Sequence, residues 1–544
     1  MHRTKLKIRA VGALILLGFA AVAGAAPNEE AKSLDELRNT LINLLQGLVE
    51  RGVLTREQAQ KMVQDAQARA QADATAAAAQ EKEEESAVRV PYVPEVVKNE
   101  IRTAVASDLS QQVTRDVLDA ARNQGWAVPG ALPEWVRRMR WYGDIRLRGE
   151  GDLFASDNAP NSYLDFQKVN DSGGIGKAGL NALANVTEDR DRLRLRMRLG
   201  FEDNLGANWK MGARLATGAL NDPISTNLTL GSYGQRGAIG LDQAWIDARF
   251  ASQRGTSRFG FTGGRMANPF FTASELVYDQ DLSFDGVATS YRYLFHKTDL
   301  TEHTLFATAG AFPLQEIELS SHDKWLVGGQ LGLDLKYALG SRTRLAASWY
   351  RFIDTAGQLN AFQSNLLDYT APQIIRRGNT VFDIRNDNDS STNLYALAAD
   401  YTLANASLVH DWAIGTRYRV TLAGDYVRNI GYSEQKILER TGAHVAERST
   451  GYQSEISFGS SSMAVPHAWR AAFGYRHVER DAVLDAFTDS DFRLGGTDTK
   501  GYTLGFDFTF APNVQARLRY LSGSEIDGPP FAVDVLQLDL TASF

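Results

Sequence analysis

The last thirteen residues of the chain alternate between apolar and polar side chains and end on an aromatic residue, Phe544. Because alternate side chains of a strand lie on opposite faces, this segment predicts a strand with one apolar and one mostly polar face. A soluble protein seldom exposes an aromatic C-terminus, whereas the closing strand of an outer-membrane barrel contacts lipid on one face and water on the other. An ordinary amphipathic edge strand is the alternative for this segment taken alone. The apolar parity comprises Ala532, Leu536, Leu538, Leu540, Ala542 and Phe544.

Arginines occupy one parity of several other segments, opposite apolar side chains. Between 191 and 202, four arginines alternate with leucine, methionine and phenylalanine. Unpaired charges in such numbers are too costly to bury in a packed core, so their face must contact water. A sixteen-stranded barrel turns its apolar face to lipid and encloses an aqueous channel, whereas a two-sheet sandwich needs two apolar faces in contact. The arginines predicted to line this pore are Arg146, Arg148, Arg192, Arg194, Arg196, Arg198, Arg342, Arg344, Arg417, Arg419, Arg470, Arg476, Arg517 and Arg519.

Residues 1–25 have the organisation of a secretory signal peptide, with a basic start, an apolar stretch and the cleavage pattern Ala23-Gly24-Ala25. The formal charge of −7 becomes more negative once this basic segment is removed, which argues against nucleic-acid binding. No later apolar run reaches the roughly 20 residues of a membrane helix, so a helical membrane protein is excluded. The chain has no cysteine, and a large hydrogen-bonded barrel does not need disulfides.

Composition and periodicity divide the chain into five regions, the first of which is the signal peptide at 1–25. Residues 26–70 are predicted as a helical hairpin because leucines recur at helical spacing, and the alanine- and glutamate-rich stretch at 71–90 is predicted as a linker. A second helical segment over 91–140 carries a narrow apolar stripe, which makes it a coiled-coil candidate. This helix either forms a trimeric bundle or packs on its own hairpin. Residues 141–544 are predicted as a transmembrane β-barrel.

From Trp141 onward the apolar period is two, and sixteen strands are predicted. Their connections are long after odd-numbered strands and mostly short after even-numbered ones, which is the layout of an outer-membrane barrel whose N-terminus lies on the periplasmic side. The predicted fold class is therefore an all-β membrane protein, a sixteen-stranded antiparallel transmembrane β-barrel preceded by an α-helical periplasmic module. The strands are predicted at 141–150, 191–202, 207–218, 240–251, 256–266, 284–294, 303–312, 324–338, 342–353, 392–403, 415–429, 448–459, 467–480, 500–510, 513–523 and 532–544.

The connection at 267–283, after the fifth predicted strand, has the composition of a segment that folds into the pore. A proline and two phenylalanines open it, and three carboxylates follow. Folded against the wall, the segment places its carboxylates opposite arginines, and the resulting transverse field orients polar solutes. An outward solvated loop with scattered acids is the alternative. The residues of this predicted constriction loop are Pro269, Phe270, Phe271, Glu275, Asp279 and Asp281.

Three other motifs favour neither an enzyme nor a metal site. The glycines at 174–179 match a dinucleotide-binding pattern but lack its strand–helix context. The acidic segment at 383–389 lacks the ligand spacing of a calcium loop. His477 lies on the outward parity, and no serine and acid can be assigned to it as partners of a hydrolase triad. No catalytic residue, metal ligand or cofactor is predicted.

The chain reads LVERGVLTREQ at 48–58, VPYVPE at 90–95, GWAVPGALPEW at 125–135 and RWYGDIRLR at 140–148. In these stretches it resembles a family of Gram-negative outer-membrane proteins described as putative porins. The resemblance implies an outer-membrane channel and, by analogy with trimeric sixteen-strand porins, an inward-folded loop after strand five. It supplies no substrate-binding residues, so the pore residues named above rest on strand parity.

Together these patterns predict an outer-membrane porin with no enzymatic activity, whose N-terminal module lies in the periplasm. It is expected to be a passive diffusion channel for small hydrophilic solutes, and the excess of arginine on its lumen face favours anions. The expected partners are outer-membrane lipid, two further copies in a homotrimer, and the barrel-assembly machinery, which binds the C-terminal strand with Phe544 as the assembly signal. Contact with peptidoglycan is an open alternative. A structural tether to peptidoglycan through the N-terminal helices and an outer-membrane barrel hydrolase are the alternative functions.

Overall fold

The structure, a computed structural model, describes residues 138–318 and 320–544. The described chain forms a closed sheet of sixteen antiparallel barrel strands, to which a two-residue strand, Leu228–Thr229, adds at one position. The predicted signal peptide, helical hairpin and linker lie outside the described residues. So does the predicted second helical segment, apart from its last three residues.

Each barrel strand is long enough to cross a bilayer when tilted, which takes about 9–11 residues. The shortest has 9 residues and the longest have 15. In chain order the strands are β1 (Arg140–Phe154), β2 (Arg190–Asn204), β3 (Trp209–Thr217), β4 (Ile239–Ala251), β5 (Ser257–Ala267), β6 (Ser283–Lys297), β7 (Glu302–Gln315), β8 (Lys324–Lys336), β9 (Arg342–Ile353), β10 (Thr402–Ile414), β11 (Tyr418–Asn429), β12 (Thr450–Ser460), β13 (Trp469–Val478), β14 (Thr499–Ala511), β15 (Val514–Glu525) and β16 (Ala532–Ser543).

The barrel closes between its first and last strands. Leu147 of β1 lies opposite Leu540 of β16 on one side and opposite Leu195 of β2 on the other. Because each barrel strand is paired on both sides, the sheet presents no open edge to the membrane. This confirms the predicted sixteen-stranded antiparallel barrel.

The two parities of each strand face different surroundings. On β16, Leu536 is 47% exposed, whereas Gln537 and Asp539 are 1% and 4% exposed. On β1, Ile145 is 48% exposed and Arg148 only 1%. An apolar exterior with polar side chains turned inward is the arrangement that a wall in contact with lipid requires.

The tenth strand differs from its prediction. The sequence predicts a strand at 392–403, whereas β10 spans Thr402–Ile414. Within the predicted stretch, Tyr395–Leu397 instead pairs with Val381–Asp383 as a small ribbon in the preceding connection. Both windows alternate in polarity, and the first outward side chains of β10, Thr402, Ala404 and Ala406, are all small, so the period alone does not distinguish the two windows. The shift leaves Arg417 in the turn before β11 rather than on a strand.

Long connections follow the odd-numbered strands and mostly short turns follow the even-numbered ones, as predicted. The helices lie in the long connections: α1 (Phe166–Ser172) and α2 (Ile175–Ala178) in the first, and α3 (Glu434–Thr441) in the sixth. No helix in the described part of the chain is long and apolar enough to cross a membrane. We number the long connections loop 1 to loop 8, at 155–189, 218–238, 268–282, 316–323, 354–401, 430–449, 479–498 and 526–531.

Apolar side chains from the loops fill part of the barrel interior. Tyr278 of loop 3 packs against Tyr350 of β9 with ring centroids 5.1 Å apart, and Phe312 of β7, Tyr401 of loop 5 and Val483 of loop 7 belong to the same buried cluster. Full burial of a large apolar side chain contributes about 1.5–3 kcal/mol. Loops 3, 5 and 7 are therefore held inside the barrel as parts of one folded core.

A cysteine pair across the closing seam tests the register of β1 and β16. The natural chain has no cysteine, and Leu147 and Leu540 are opposed on the outer face. We expect L147C/L540C to form an intramolecular disulfide on oxidation, seen as a reductant-sensitive shift in the gel mobility of the denatured protein. The control is L147C/L422C, whose second cysteine lies on β11. A disulfide in the control, or none at the seam, would contradict the closure.

Candidate functional site

The predicted pore arginines of β1 and β2 lie side by side on the inner wall. In the register of the two strands, Arg146 is opposite Arg196 and Arg148 is opposite Arg194. Like charges at directly opposed positions destabilise a sheet, so this wall requires carboxylates nearby. β1 itself provides them, because carboxylates flank its two arginines on the inward parity. These carboxylates are Asp144, Glu150 and Asp152.

Arg148 is the most enclosed of these arginines, with 1% of its surface exposed. Its Nε and Nη2 donate to the Asp539 carboxylate of β16 at 2.7 and 2.9 Å, and its Nη1 donates to Asp491 of loop 7 at 2.9 Å. Arg519 of β15 pairs with the same Asp491. Charge-assisted bonds of this forked kind are among the strongest in proteins. They join β1 to β16 and fix loop 7 against the wall.

The arginines of β2 share the carboxylates of β1. Arg192 Nη2 lies 2.6 Å from an oxygen of Glu150, and Arg194 Nη1 lies 3.3 Å from the same carboxylate. The next two arginines of β2 donate to Asp144 through their Nε atoms, at 3.0 and 2.7 Å. Each of these two carboxylates thus serves two arginines of the neighbouring strand.

The remaining predicted pore arginines, other than Arg417, also have partners on the inner wall. Arg476 is buried and donates to Gln453 and to Thr488 of loop 7, both at 2.6 Å. The arginine–carboxylate pairs are Arg342 and Arg344 with Asp334, Arg419 with Asp411, and Arg470 and Arg517 with Asp507. These acids share the inward parity of the strands, so the pattern that identified the arginines contains them as well. The sequence interpretation weighed the arginines alone.

The first half of loop 3 is anchored on the wall formed by β7 to β11. The ring of Phe270 is buried against Tyr350, with centroids 5.0 Å apart. The backbone N–H of Phe271 donates to the side-chain oxygen of Gln330 at 2.8 Å, and Ser274 Oγ donates to Asp425 at 2.6 Å. The predicted residues Pro269, Phe270 and Phe271 therefore lie within the barrel and not in an outward loop.

The second half of loop 3 reaches β2 and loop 2. Asp281 accepts a hydrogen bond from Thr226 Oγ1 at 2.9 Å and lies 3.4 Å from Arg198 and 3.8 Å from Arg196. Of the three predicted carboxylates, Asp281 is the one that the structure brings into ion-pairing distance of the β2 arginines. Glu275 and Asp279 face loop 7 instead.

Loop 7 was not singled out by the sequence, yet it forms a continuous seam with loop 3. The N–H of Asp279 donates to the carbonyl of Phe487 at 2.7 Å, and Thr488 Oγ1 donates to the carbonyl of Leu276 at 2.8 Å. The N–H of Ser490 donates to Asp279 Oδ2 at 2.9 Å. An acidic connection between strands is typical of a solvated loop, so nothing in its composition indicates this inward course.

The carboxylates of the seam titrate away from their ordinary range. Burial, reinforced by Asp489, raises the pKa of Glu275, and burial together with Glu275 and Asp489 raises the pKa of Asp279. At Asp491 burial acts in the same direction, but Arg148 and Arg519 outweigh it and hold the pKa below its usual value. Loop 7 thus carries an ionised carboxylate toward the arginine wall, while the carboxylates of loop 3 at the seam retain protons more readily.

A narrow polar cavity of about 190 Å³ lies between the arginine wall and the loops. Arg192, Arg194 and Glu150 line it on the wall side, and Asp222 of loop 2 and Arg376 of loop 5 line it on the loop side. Arg376 Nη2 donates to Asp222 at 2.6 Å. An adjacent cavity of about 370 Å³ shares these two loop residues. Both cavities are bordered by charges of both signs, and we refer to the two together as the passage.

The acidic segment at 383–389 and His477 do not line this passage. Asp387 and Asp389 accept hydrogen bonds from their own loop, at 2.9 Å from the N–H groups of Asp389 and Ser391. His477 stacks on Tyr452 on the outer face, with ring centroids 5.0 Å apart. Between residues 138 and 544, with residue 319 left out, no group of three or more histidine, cysteine, aspartate or glutamate side chains is arranged to hold a metal ion.

A closed barrel with an apolar exterior and an ion-paired interior defines the class of transmembrane β-barrel proteins. The chain belongs to the putative porin family, which matches residues 38–544. This membership supports a channel in the outer membrane. No curated protein sequence matches the chain.

Solved outer-membrane proteins show distant similarity to this chain. The high-pH structure of OprB from Pseudomonas putida is 14% identical, with 76% of this chain and 97% of that chain covered and a TM-score of 0.39. The outer membrane channel DcaP of Acinetobacter baumannii is 13% identical over 75% of this chain and 97% of its own, with a TM-score of 0.35. OmpF of Salmonella typhi, in complex with daunomycin, is 11% identical over 75% and 97%, with a TM-score of 0.38.

Raising the pH should weaken the contact between loops 3 and 7. The pKa of Glu275 is raised on folding, so this residue contributes stability that is fully present below the ordinary carboxyl pKa and is lost as the pH rises through the folded value. The side-chain oxygen that E275Q retains can still accept a hydrogen bond from the N–H of Gln280. Between about pH 5 and pH 9 we expect the unfolding temperature of E275Q to fall less than that of the natural chain. Thermal unfolding followed by circular dichroism in detergent measures this.

The matched control is E316Q, at an exposed position of loop 4. It removes the same charge and should retain the pH dependence of the natural chain. If E275Q and E316Q behave alike, Glu275 does not contribute to the pH dependence of the seam.

Proposed function

We propose that this chain is a passive diffusion channel for small hydrophilic solutes in the outer membrane, with its N-terminal part in the periplasm. The observation that carries the proposal is the narrow polar cavity between the inner wall and loops 2, 5 and 7. A stable core has no need of buried charged groups around a cavity, since ion pairs cost desolvation that apolar side chains avoid. Charges of both signs around an aqueous passage instead suit the transfer of polar solutes.

The proposed selectivity arises from a field across the passage. Arg192 and Arg194 provide positive charge on the wall, and Asp222 and Asp491 provide negative charge on the loops. A dipolar solute entering this passage is oriented by the opposed charges, which also replace part of its hydration shell. Because the surroundings are poorer in water than bulk solvent, these interactions are stronger than they would be at a surface.

Loop 3 is the proposed constriction loop, and it narrows the lumen mainly by its bulk. Pro269, Phe270 and Phe271 hold its first half against β8 and β9, and Asp281 provides its charge opposite Arg198. The negative charge that the sequence predicts on loop 3 alone, opposite the arginines, is therefore shared with loop 7. Glu275 and Asp279 lie in the seam between loops 3 and 7 and do not face the arginines of β2.

A mild anion preference follows from the ratio of arginines to carboxylates. Asp507 pairs with both Arg470 and Arg517, and Asp334 pairs with both Arg342 and Arg344. One carboxylate for two guanidinium groups leaves a positive excess on the inner wall, although a smaller one than the arginines alone predict. We infer that small anions enter somewhat more readily than cations.

Assembly of the channel in the membrane is proposed to involve the outer face. Phe544 is 66% exposed, and its N–H donates to the carbonyl of Gly143 at the seam, which suits a terminal signal read by the barrel-assembly machinery. A shallow apolar groove on the exterior of β6 to β9 has small side chains at Ala307, Gly329 and Ala347. Small outward residues allow close approach of another barrel wall, which supports the proposed homotrimer.

Single-channel recording in planar bilayers tests the proposed function. The purified natural chain should give discrete conductance steps and a reversal potential in a salt gradient that shows mild anion preference. R192Q/R194Q removes two positive charges from the passage and should shift the reversal potential toward that of a non-selective channel. The control R236Q/R254Q removes two exposed charges in loop 2 and in the turn between β4 and β5, and should keep the natural value.

Two results would count against the proposal. A folded protein without conductance steps would exclude a diffusion channel. An unchanged reversal potential in R192Q/R194Q would show that these side chains do not border the path of the ions.

A further inference from the structure

A second group of arginines lies on the inner wall between loop 3 and the short-turn end of the barrel. Four of them, Arg249, Arg258, Arg292 and Arg344, line a cavity of about 750 Å³. They belong to β4, β5, β6 and β9, and their neighbours Phe250, Phe259 and Tyr291 are exposed on the outer face, which sets the inward parity of these strands. None of the residues that line this cavity is a carboxylate. Of these four arginines, only Arg344 is among the pore residues predicted from strand parity.

Two of these arginines have carboxylate neighbours and two have none. Arg249 Nε donates to Asp247 at 2.7 Å, and Arg344 Nη2 donates to Asp334 at 3.2 Å. The side chains of Arg258 and Arg292 are exposed to the lumen, and they make no hydrogen bond or ion pair with any residue that the structure describes. Asp334 attracts Arg292 from a distance but is already paired with Arg342 and Arg344, so Arg258 and Arg292 have no carboxylate of their own among the described residues.

The positions of Arg258 and Arg292 make this lack of partners unusual. The two residues are directly opposed on β5 and β6, an arrangement that destabilises a sheet when both side chains carry the same charge. The same problem arises where Arg148 faces Arg194, but there Asp539, Asp491 and Glu150 neutralise the pair. In the described part of the chain, no carboxylate lies within ion-pairing distance of Arg258 or Arg292, which leaves this place open to a mobile anion.

The walls of the cavity leave room for such an anion. Gly260 lies between Arg249 and Ser290 in the register, and a Cβ at this position would come within 2.6 Å of Ser290 Oγ. The absence of a side chain keeps the floor of the cavity open, with the Ser290 hydroxyl as a further donor.

The far side of the cavity is rigid. The Arg344 guanidinium stacks over the ring of Phe271 at 5.0 Å, and Phe271 packs edge-on against Phe306 with centroids 6.2 Å apart. A guanidinium held by stacking and by a carboxylate loses little freedom on binding a ligand. Arg344 is therefore preorganised to face the two arginines without partners.

We propose that Arg258 and Arg292, supported by Arg249 and Arg344, bind one divalent oxyanion of the phosphate type. Two unpaired guanidinium groups match its two negative charges, and each can donate two parallel hydrogen bonds to its oxygens. The site is separate from the passage lined by Arg192 and Arg194. This anion site names a solute class for the proposed channel. It rests on the proposed function, because the anion reaches the cavity through a water-filled lumen.

Binding of inorganic phosphate to the full-length protein in detergent tests the site. Isothermal titration calorimetry at about pH 8, where phosphate is mainly divalent, should show saturable binding that chloride at the same ionic strength does not reproduce. R258Q/R292Q should bind phosphate at least about a hundredfold more weakly, since the loss of even one charge-assisted hydrogen bond per arginine costs roughly tenfold. R236Q/R254Q, with the same loss of charge at exposed positions outside the cavity, should bind as the natural chain does.

Thermal unfolding provides a second readout that a purely structural role would not give. Without phosphate, R258Q/R292Q should unfold at the same temperature as the natural chain or higher, because the opposed like charges are gone. Phosphate should raise the unfolding temperature of the natural chain and of the control, but not of R258Q/R292Q.

The proposal is overturned if the natural chain shows no saturable phosphate binding, or if R258Q/R292Q binds phosphate as tightly as the control. Conductance steps without phosphate binding would remove the site and leave the channel in place. Phosphate binding without conductance steps would retain the site and refute the channel.

Discussion

The ion pairs of the inner wall are the interactions on which the rest of the structure depends. Antiparallel register places arginines of adjacent strands opposite one another, as at Arg148 and Arg194, and shared carboxylates make that register tolerable. Removing one member of a buried pair leaves an uncompensated charge, which costs about 3–5 kcal/mol. The pair of Arg148 with Asp539 also spans the seam between the first and last strands. The charges that suit a channel thus also help to close the barrel.

The loops complete this network, and they do so as a unit. Asp491 of loop 7 is held between Arg148 and Arg519, and the same loop is hydrogen-bonded to loop 3 through Asp279. Asp281 in turn joins loop 3 to β2 through its ion pair with Arg198. The passage beside these loops has a fixed width only while both loops stay in place. Selectivity and the stability of the interior are therefore properties of the same contacts.

Much of the fold could be predicted from the sequence because a barrel wall imposes a period of two on every strand. The alternation at 532–544 and the arginines of β2 were sufficient to indicate an apolar exterior and a charged interior. The alternation placed the tenth strand wrongly, because the first outward side chains of β10 are small and the residues of a short ribbon in loop 5 alternate in the same way. The course of loop 7 and the partners of each arginine could not be predicted, because they depend on strand stagger and on contacts between loops distant in sequence.

The central claim is that alternate residues of each strand face water and lipid. Single cysteines placed along β14 at Thr503, Leu504, Gly505 and Phe506, in a chain that has no natural cysteine, test it most directly in lipid vesicles with a charged, membrane-impermeant thiol reagent. The structure requires rapid labelling of T503C and G505C through the water-filled lumen and slow labelling of L504C and F506C against the lipid. Uniform labelling of all four, or labelling on the opposite parity, would contradict it.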